Sequence, residues 1–269
     1  MIAWAIAAVL VIATGHATDL VAAAEAVLVL VVVGLVVVPL TAGRPPPAWQ
    51  PREPGRPGDA RGVRSRLWIP AAVALAYAAA VPVVALVSER MPAVALVAIL
   101  GQATVPLGAA LAAGAGWREL GFDRGHRSLP ATLVLVVALA CGAALACGAV
   151  LRGAVGAVPG TLVTAAIPEE VHLRGVLMTR LHQLWGPGWA AVASALVFGV
   201  YHATANLGYF GGPPYLVAAA LGVVFEGTLG LAFGVLMLRT RSLAAPVAVH
   251  TVLDAVNFAL LPHARILFR

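Results

Sequence analysis

The chain of 269 residues is 61% hydrophobic and only 10% charged, with a formal net charge of +6. A soluble domain carries about 25% charged residues, so this composition cannot cover a water-facing surface and predicts an integral membrane protein. The positive balance does not point to nucleic acid, because the arginines sit in short segments between apolar runs, as the positive-inside rule expects.

In lipid only helices and closed barrels satisfy every backbone group. The long Ala/Val/Leu runs lack period-2 alternation, which favours helices. A helix needs about 20 apolar residues to cross a bilayer. On that ruler, spans are predicted near 2–15, 21–40, 67–87, 92–113, 130–151, 160–183, 187–206, 215–238 and 243–262. The fold class is therefore all-α, a polytopic transmembrane helical bundle of about eight or nine helices. The first run lacks a basic leader and is followed at once by a second, so it reads as a transmembrane helix and not a signal peptide. Cys141 and Cys147 share one apolar run, six residues apart, and read as small packing residues rather than a disulfide.

Residues 43–66, GRPPPAWQPREPGRPGDARGVRSR, break the pattern. Rich in Pro, Gly and Arg, they are predicted to form a solvated, largely disordered linker. Arginines 44, 52, 56, 61, 64 and 66 put this linker on the cytoplasmic side, where it also meets anionic lipid. The organisation read from this is an N-terminal two-helix hairpin over 1–42, the linker over 43–66, and a core over 67–269. Arg118, Arg124 and Arg127, then Arg180 and His182, then Arg239 and Arg241 fall on the same side as the linker. Arg265 and Arg269 fall on the other, against the rule.

Charged residues at bilayer depth are costly, and each is a functional candidate. One string, IPEEVHLRG, carries Glu169, Glu170, His172 and Arg174. Another, LVFGVYHATAN, carries Phe198, His202 and Asn206, and a third, HTVLDAVNF, carries His250, Asp254 and Asn257. Glu226, on the helix between, is expected to pair with a neighbouring helix, and Glu25 in the hairpin to have no catalytic role. Residues four apart share a helix face, which pairs Glu170 with Arg174, Phe198 with His202, and His250 with Asp254. Two histidines on separate helices with carboxylates nearby can converge on one divalent ion. A bound water then becomes a nucleophile, and a Glu can take its proton.

The three strings resemble the motifs of the CPBP family of intramembrane metalloproteases, which includes the CAAX prenyl endopeptidases and the bacterial Abi proteins. EExxxR is matched by Glu169, Glu170 and Arg174, FxxxH by Phe198 and His202, and HxxxN/D by His250 and Asp254. Order and spacing fit across residues 160–260. The resemblance implies that Glu169 acts on the catalytic water, as general base or metal contact. Glu170 would assist it or hold Arg174. Arg174 would orient the glutamates or stabilise charge on the substrate carbonyl. His202 and His250 would bind the metal or the water, and Asp254, where the family often has Asn, would complete the cluster. Zinc, held by Glu169, His202, His250 and Asp254, is the implied cofactor. A glutamate mechanism without a tightly held metal stays open beside it. Phe198 reads as a packing residue beside His202, and His172 as either a partner of Glu169 or a residue on the far flank.

The implied activity is intramembrane hydrolysis of a peptide bond in a membrane-associated protein or peptide. The partners are that substrate and membrane lipid, with no nucleic acid, and the composition suggests a bacterial plasma membrane. The rival readings are a non-proteolytic family member acting as an immunity or scaffold protein, and a proton-coupled transporter, which predicts a repeat symmetry that this sequence lacks.

Overall fold

The computed structural model of the protein describes residues 2–14, 60–88, 92–123, 148–209 and 212–260. Several sequence expectations lie outside them: the span near 21–40, residues 43–59 of the linker, most of the span near 130–151, Glu25, Cys141, Cys147, Arg124, Arg127, Arg265 and Arg269. Among the described residues every regular element is helical, as the composition requires.

Helix α1 is Ile2–Ala13, α2 is Ala60–Ser88 and α3 is Pro92–Ala112. Helix α2 begins seven residues earlier than expected, inside the predicted linker. The Pro and Gly punctuation of that linker thins out after residue 58, and the Ala and Arg residues that follow are good helix formers. The next element runs without interruption from 148 to 185, through α4 (Gly148–Thr161), a wide π-helical turn (Leu162–Ala166), α5 (Ile167–Glu170), a second π-helical stretch (Val171–Met178) and α6 (Thr179–Trp185). The loop expected near 152–159 does not form. Inside a membrane a continued helix is the cheapest way to keep backbone groups bonded, even across a proline such as Pro159.

Pro168 has a larger local effect. It offers no N–H to the preceding turn, and the turns on both sides of α5 open to the wider π geometry. Such widenings are often found at functional sites, and this pair brackets Glu169 and Glu170.

Helix α7 is Pro187–Tyr201; the chain turns at His202 and continues as α8 (Ala203–Tyr209). Helices α9 (Tyr215–Val224) and α10 (Glu226–Thr240) form one long apolar run with a break at Phe225, and α11 is Ala244–Leu260. Among the described residues three helical runs, 65–84, 93–112 and 215–240, are long and apolar enough to cross a membrane. They differ in placement: 72% of the best apolar window of the α9–α10 run is buried, against 28% and 17% for α2 and α3. The α9–α10 run is thus the most buried of the three, and α2 and α3 are buried along only part of their surface among the described residues.

Close backbone contact locks the α9–α10 run to α7. A Cβ placed on Gly199 would sit 2.7 Å from the carbonyl oxygen of Gly222, a small-residue crossing of the kind membrane bundles favour. Around it, Leu173, Leu177, Met178, Phe198, Phe233, Leu236 and Val249 make the core. At one end of the bundle, Arg180 pairs with Glu119 at 3.3 Å, the Leu243 N–H donates to the Gly121 carbonyl at 2.9 Å, and the Ser242 hydroxyl donates to the Asp123 carbonyl at 2.9 Å. The segments around 118–123, 180 and 239–243, grouped on one side by their arginines, therefore do meet at one end.

Candidate active site

Four elements build the site. The bracketed segment α5 supplies Glu169 and Glu170, the π-stretch after it Arg174, the end of α7 His202, and α11 His250 and Asp254. The i,i+4 pairing expected between Glu170 and Arg174 is present at 3.2 Å, with both side chains fully buried. His250 and Asp254 also pair, at 3.4 Å.

The deepest layer is an anchor. Arg174 donates from Nη1 to Glu170 and from Nη2 to the Gly230 carbonyl at 3.1 Å. Its guanidinium lies 4.4 Å from the Phe198 ring centre and 5.4 Å from that of Phe233, a cation–π sandwich that partly replaces lost hydration. Gly230 makes room for this: a Cβ there would lie 2.9 Å from Phe198 and 3.0 Å from Arg174 Nη2. Of the two roles the resemblance gave Arg174, the geometry suits orientation of the glutamates. Its Nη1 and Nη2 are committed to Glu170 and Gly230, and the whole guanidinium, its unpartnered Nε included, is sealed from solvent.

The two imidazoles are set by what their Nδ1 atoms touch. His202 Nδ1 lies 2.8 Å from the Phe198 carbonyl oxygen, which can only accept, so Nδ1 carries the proton. His250 Nδ1 lies 2.9 Å from Glu170 Oε1, the oxygen that also accepts from Arg174. Both rings therefore turn Nε2 inward. Phe198 and Phe233 fix their planes, Phe198 edge-on to His202 at 4.6 Å and Phe233 stacked on His250 at 5.0 Å. A carboxylate or carbonyl bound at Nδ1 fixes the ring and directs Nε2, as it does for metal-ligating histidines; His250 Nε2 also lies 3.4 Å from Asp254.

Glu169 Oε2 is the point of convergence. It lies 3.8 Å from His202 Nε2 and 3.7 Å from His250 Nε2, and it is buried with no hydrogen-bond partner among the described residues. These spacings are too long for direct hydrogen bonds. They are the separation expected of groups that share a third atom, such as a water or a cation. Exposure rises outward: Glu170 and Arg174 are sealed, while the side chains of His202 and Asp254 are 19% and 27% exposed. The approach to Glu169 is therefore from the His202–Asp254 side.

Zinc ligands about 2.0–2.1 Å from the ion sit roughly 3.3–3.5 Å from one another. The 3.4–3.8 Å spacings here come close to that. The donor types are ones zinc accepts, but among the described residues no group of three or more His, Cys, Asp or Glu side chains is placed to hold a metal ion.

The remaining polar residues sort clearly. His172 does not turn to Glu169; its Nε2 donates to the Ala74 carbonyl of α2 at 2.8 Å, beside the edge of Tyr77. Asn206 donates to Glu226 at 3.2 Å, so Glu226 does pair with a neighbouring helix, at the Phe225 break. Asn257 is half-buried further along α11. Sequence reasoning missed Tyr201 and Gln102. The Tyr201 ring lies 5.0 Å from that of His202, and its hydroxyl donates to Gln102 Oε1 on α3 at 2.9 Å. The signal was available: Gln102 is a lone amide in the apolar string VAILGQATVPL.

Three carboxylates, two oriented imidazoles and a buried arginine thus meet within a helical bundle, a set of groups suited to general acid–base chemistry. Residues 151–256, which contain all seven motif residues, match the family model described as Rce1-like, type II CAAX prenyl endopeptidase Rce1-like. Over those residues the chain is similar to the CPBP/CAAX protease family. Comparison with curated proteins and with solved structures finds no match.

Proposed function

We propose that the protein hydrolyses a peptide bond of a membrane-associated protein or peptide, using a water activated by Glu169. One observation carries this reading: the buried, unpartnered Glu169 Oε2 faces the Nε2 atoms of both His202 and His250. A water held there can pass a proton to Glu169 as its oxygen bonds to the scissile carbonyl carbon. The C–N bond then breaks, and Glu169 delivers the proton to the departing amine nitrogen. Glu170, fixed by Arg174, keeps the His250 ring in place and its Nε2 directed inward. The apolar walls exclude bulk water from the intermediate.

A divalent cation, zinc by donor type, would be held by His202, His250, Glu169 and Asp254. When bound it would polarise the water and the substrate carbonyl. The same end of the bundle that carries Arg118, Arg180 and Arg239 is read as cytoplasmic, in a bacterial plasma membrane.

The test uses the full chain in lipid nanodiscs with a farnesylated CAAX peptide and a panel of single-span reporter proteins. Mass spectrometry should find a new peptide terminus with the parent and none with Glu169→Ala or His250→Ala. Parent and variants alike in every product would refute the reading and favour the immunity, scaffold or transport alternatives.

A further inference from the structure

Acyl transfer places negative charge on the carbonyl oxygen, and a preorganised donor aimed there is often the largest single contribution to rate. The motif residues do not supply an obvious one. Arg174 spends Nη1 on Glu170 and Nη2 on Gly230 and keeps only its fully buried Nε without a partner, and the Nδ1 atoms of both imidazoles are already bonded. A further unspent donor lies on a helix outside the matched segment. Gln102 of α3 is 2% exposed, and its Nε2 has no hydrogen-bond partner among the described residues. Leaving a buried amide N–H₂ unpaired costs about 1–3 kcal/mol.

Its setting connects it to the reacting groups. Gln102 Oε1 accepts from the Tyr201 hydroxyl at 2.9 Å, which fixes which end of the amide remains free. The Tyr201 ring is edge-on to His202 at 5.0 Å. Helix α3 also packs directly on α5, which bears both glutamates. On the same helix the Tyr77 hydroxyl donates to the Ala98 carbonyl at 2.7 Å and packs over Gly101.

We propose that Gln102 is a further catalytic residue, its Nε2 donating to the scissile carbonyl oxygen as that oxygen becomes negative, with Tyr201 as the positioning residue that orients the amide. This rests on the endopeptidase reading above.

The experiment measures kcat and KM for a farnesylated CAAX peptide in nanodiscs, together with thermal unfolding. Gln102→Met keeps the shape and removes both donors. Gln102→Glu keeps an acceptor for Tyr201 but presents oxygen where a donor is needed. Each is expected to unfold at or above the parent temperature or within a few degrees of it, and to lower kcat about 10²-fold with little change in KM. Tyr201→Phe should lower kcat by a smaller factor. A purely structural Gln102 would leave kcat within twofold in a folded Gln102→Met, and that result overturns the proposal while leaving the function intact. A parent no more active than Glu169→Ala overturns both together.

Discussion

Replacing Glu170 with Gln tests the anchor beneath the site. Glu170 Oε1 accepts from both Arg174 Nη1 at 3.2 Å and His250 Nδ1 at 2.9 Å, and neither Glu170 nor Arg174 touches solvent. Gln keeps the shape but leaves the Arg174 charge without a counter-ion. Removing one partner of a buried pair destabilises by about 3–5 kcal/mol, or roughly 10 °C in a protein of this size. Removing the second charge as well, in Glu170→Gln/Arg174→Met, should restore most of that stability, because a buried pair and an apolar replacement are often close in energy. Activity should not return. The Gln amide can turn its N–H₂ toward His250, and the tautomer that directs Nε2 at Glu169 is then lost, with a fall of about 10²–10⁴-fold by analogy with the loss of an orienting carboxylate in a catalytic triad. Thermal unfolding in detergent and cleavage of the nanodisc substrate read the two effects separately. Equal unfolding temperatures for the single and double variants would refute the anchor, and a double variant that cleaves like the parent would refute the orienting role.

Glu169→Gln should abolish cleavage while leaving stability equal or higher, since the buried Oε2 has no bonded partner to lose; a marked loss of stability would show that Glu169 is structural. Gly230→Ala should push Phe198 and Arg174 apart, costing about 1–3 kcal/mol in unfolding assays and lowering kcat, and normal behaviour would contradict the tight fit at 2.9 and 3.0 Å. Gly199→Leu should prevent stable folding, seen as loss of a monodisperse peak on size exclusion, because its Cβ would enter the Gly222 backbone. Chelation should remove activity that zinc restores, with about one zinc per chain by elemental analysis and less in Asp254→Ala. Full activity in metal-free protein would favour the glutamate-only mechanism.

Much of this protein is legible along the chain. Scarcity of charge dictates a lipid-facing helical bundle, since no other use of so many apolar side chains satisfies the backbone. The pairs Glu170–Arg174 and His250–Asp254 follow from helical periodicity alone, and the arginine-bearing segments that share a side do meet at one end. What periodicity could not give is any relation between helices. That Glu170 is shared between Arg174 and His250 depends on α5 lying against α11, and that His202 faces Glu169 depends on α7 ending at that residue. The π-helical widening around Pro168 and the continuous helix from 148 to 185 are tertiary outcomes. Local signals favoured a loop and an ordinary helix, but burial in a water-free interior raises the penalty on unpaired backbone and lets neighbouring helices hold the wider turns. Gln102 makes the same point from the other direction. It lies far along the chain from every motif, and only the packing of α3 on α5 and the reach of Tyr201 bring its amide to the wall of the site.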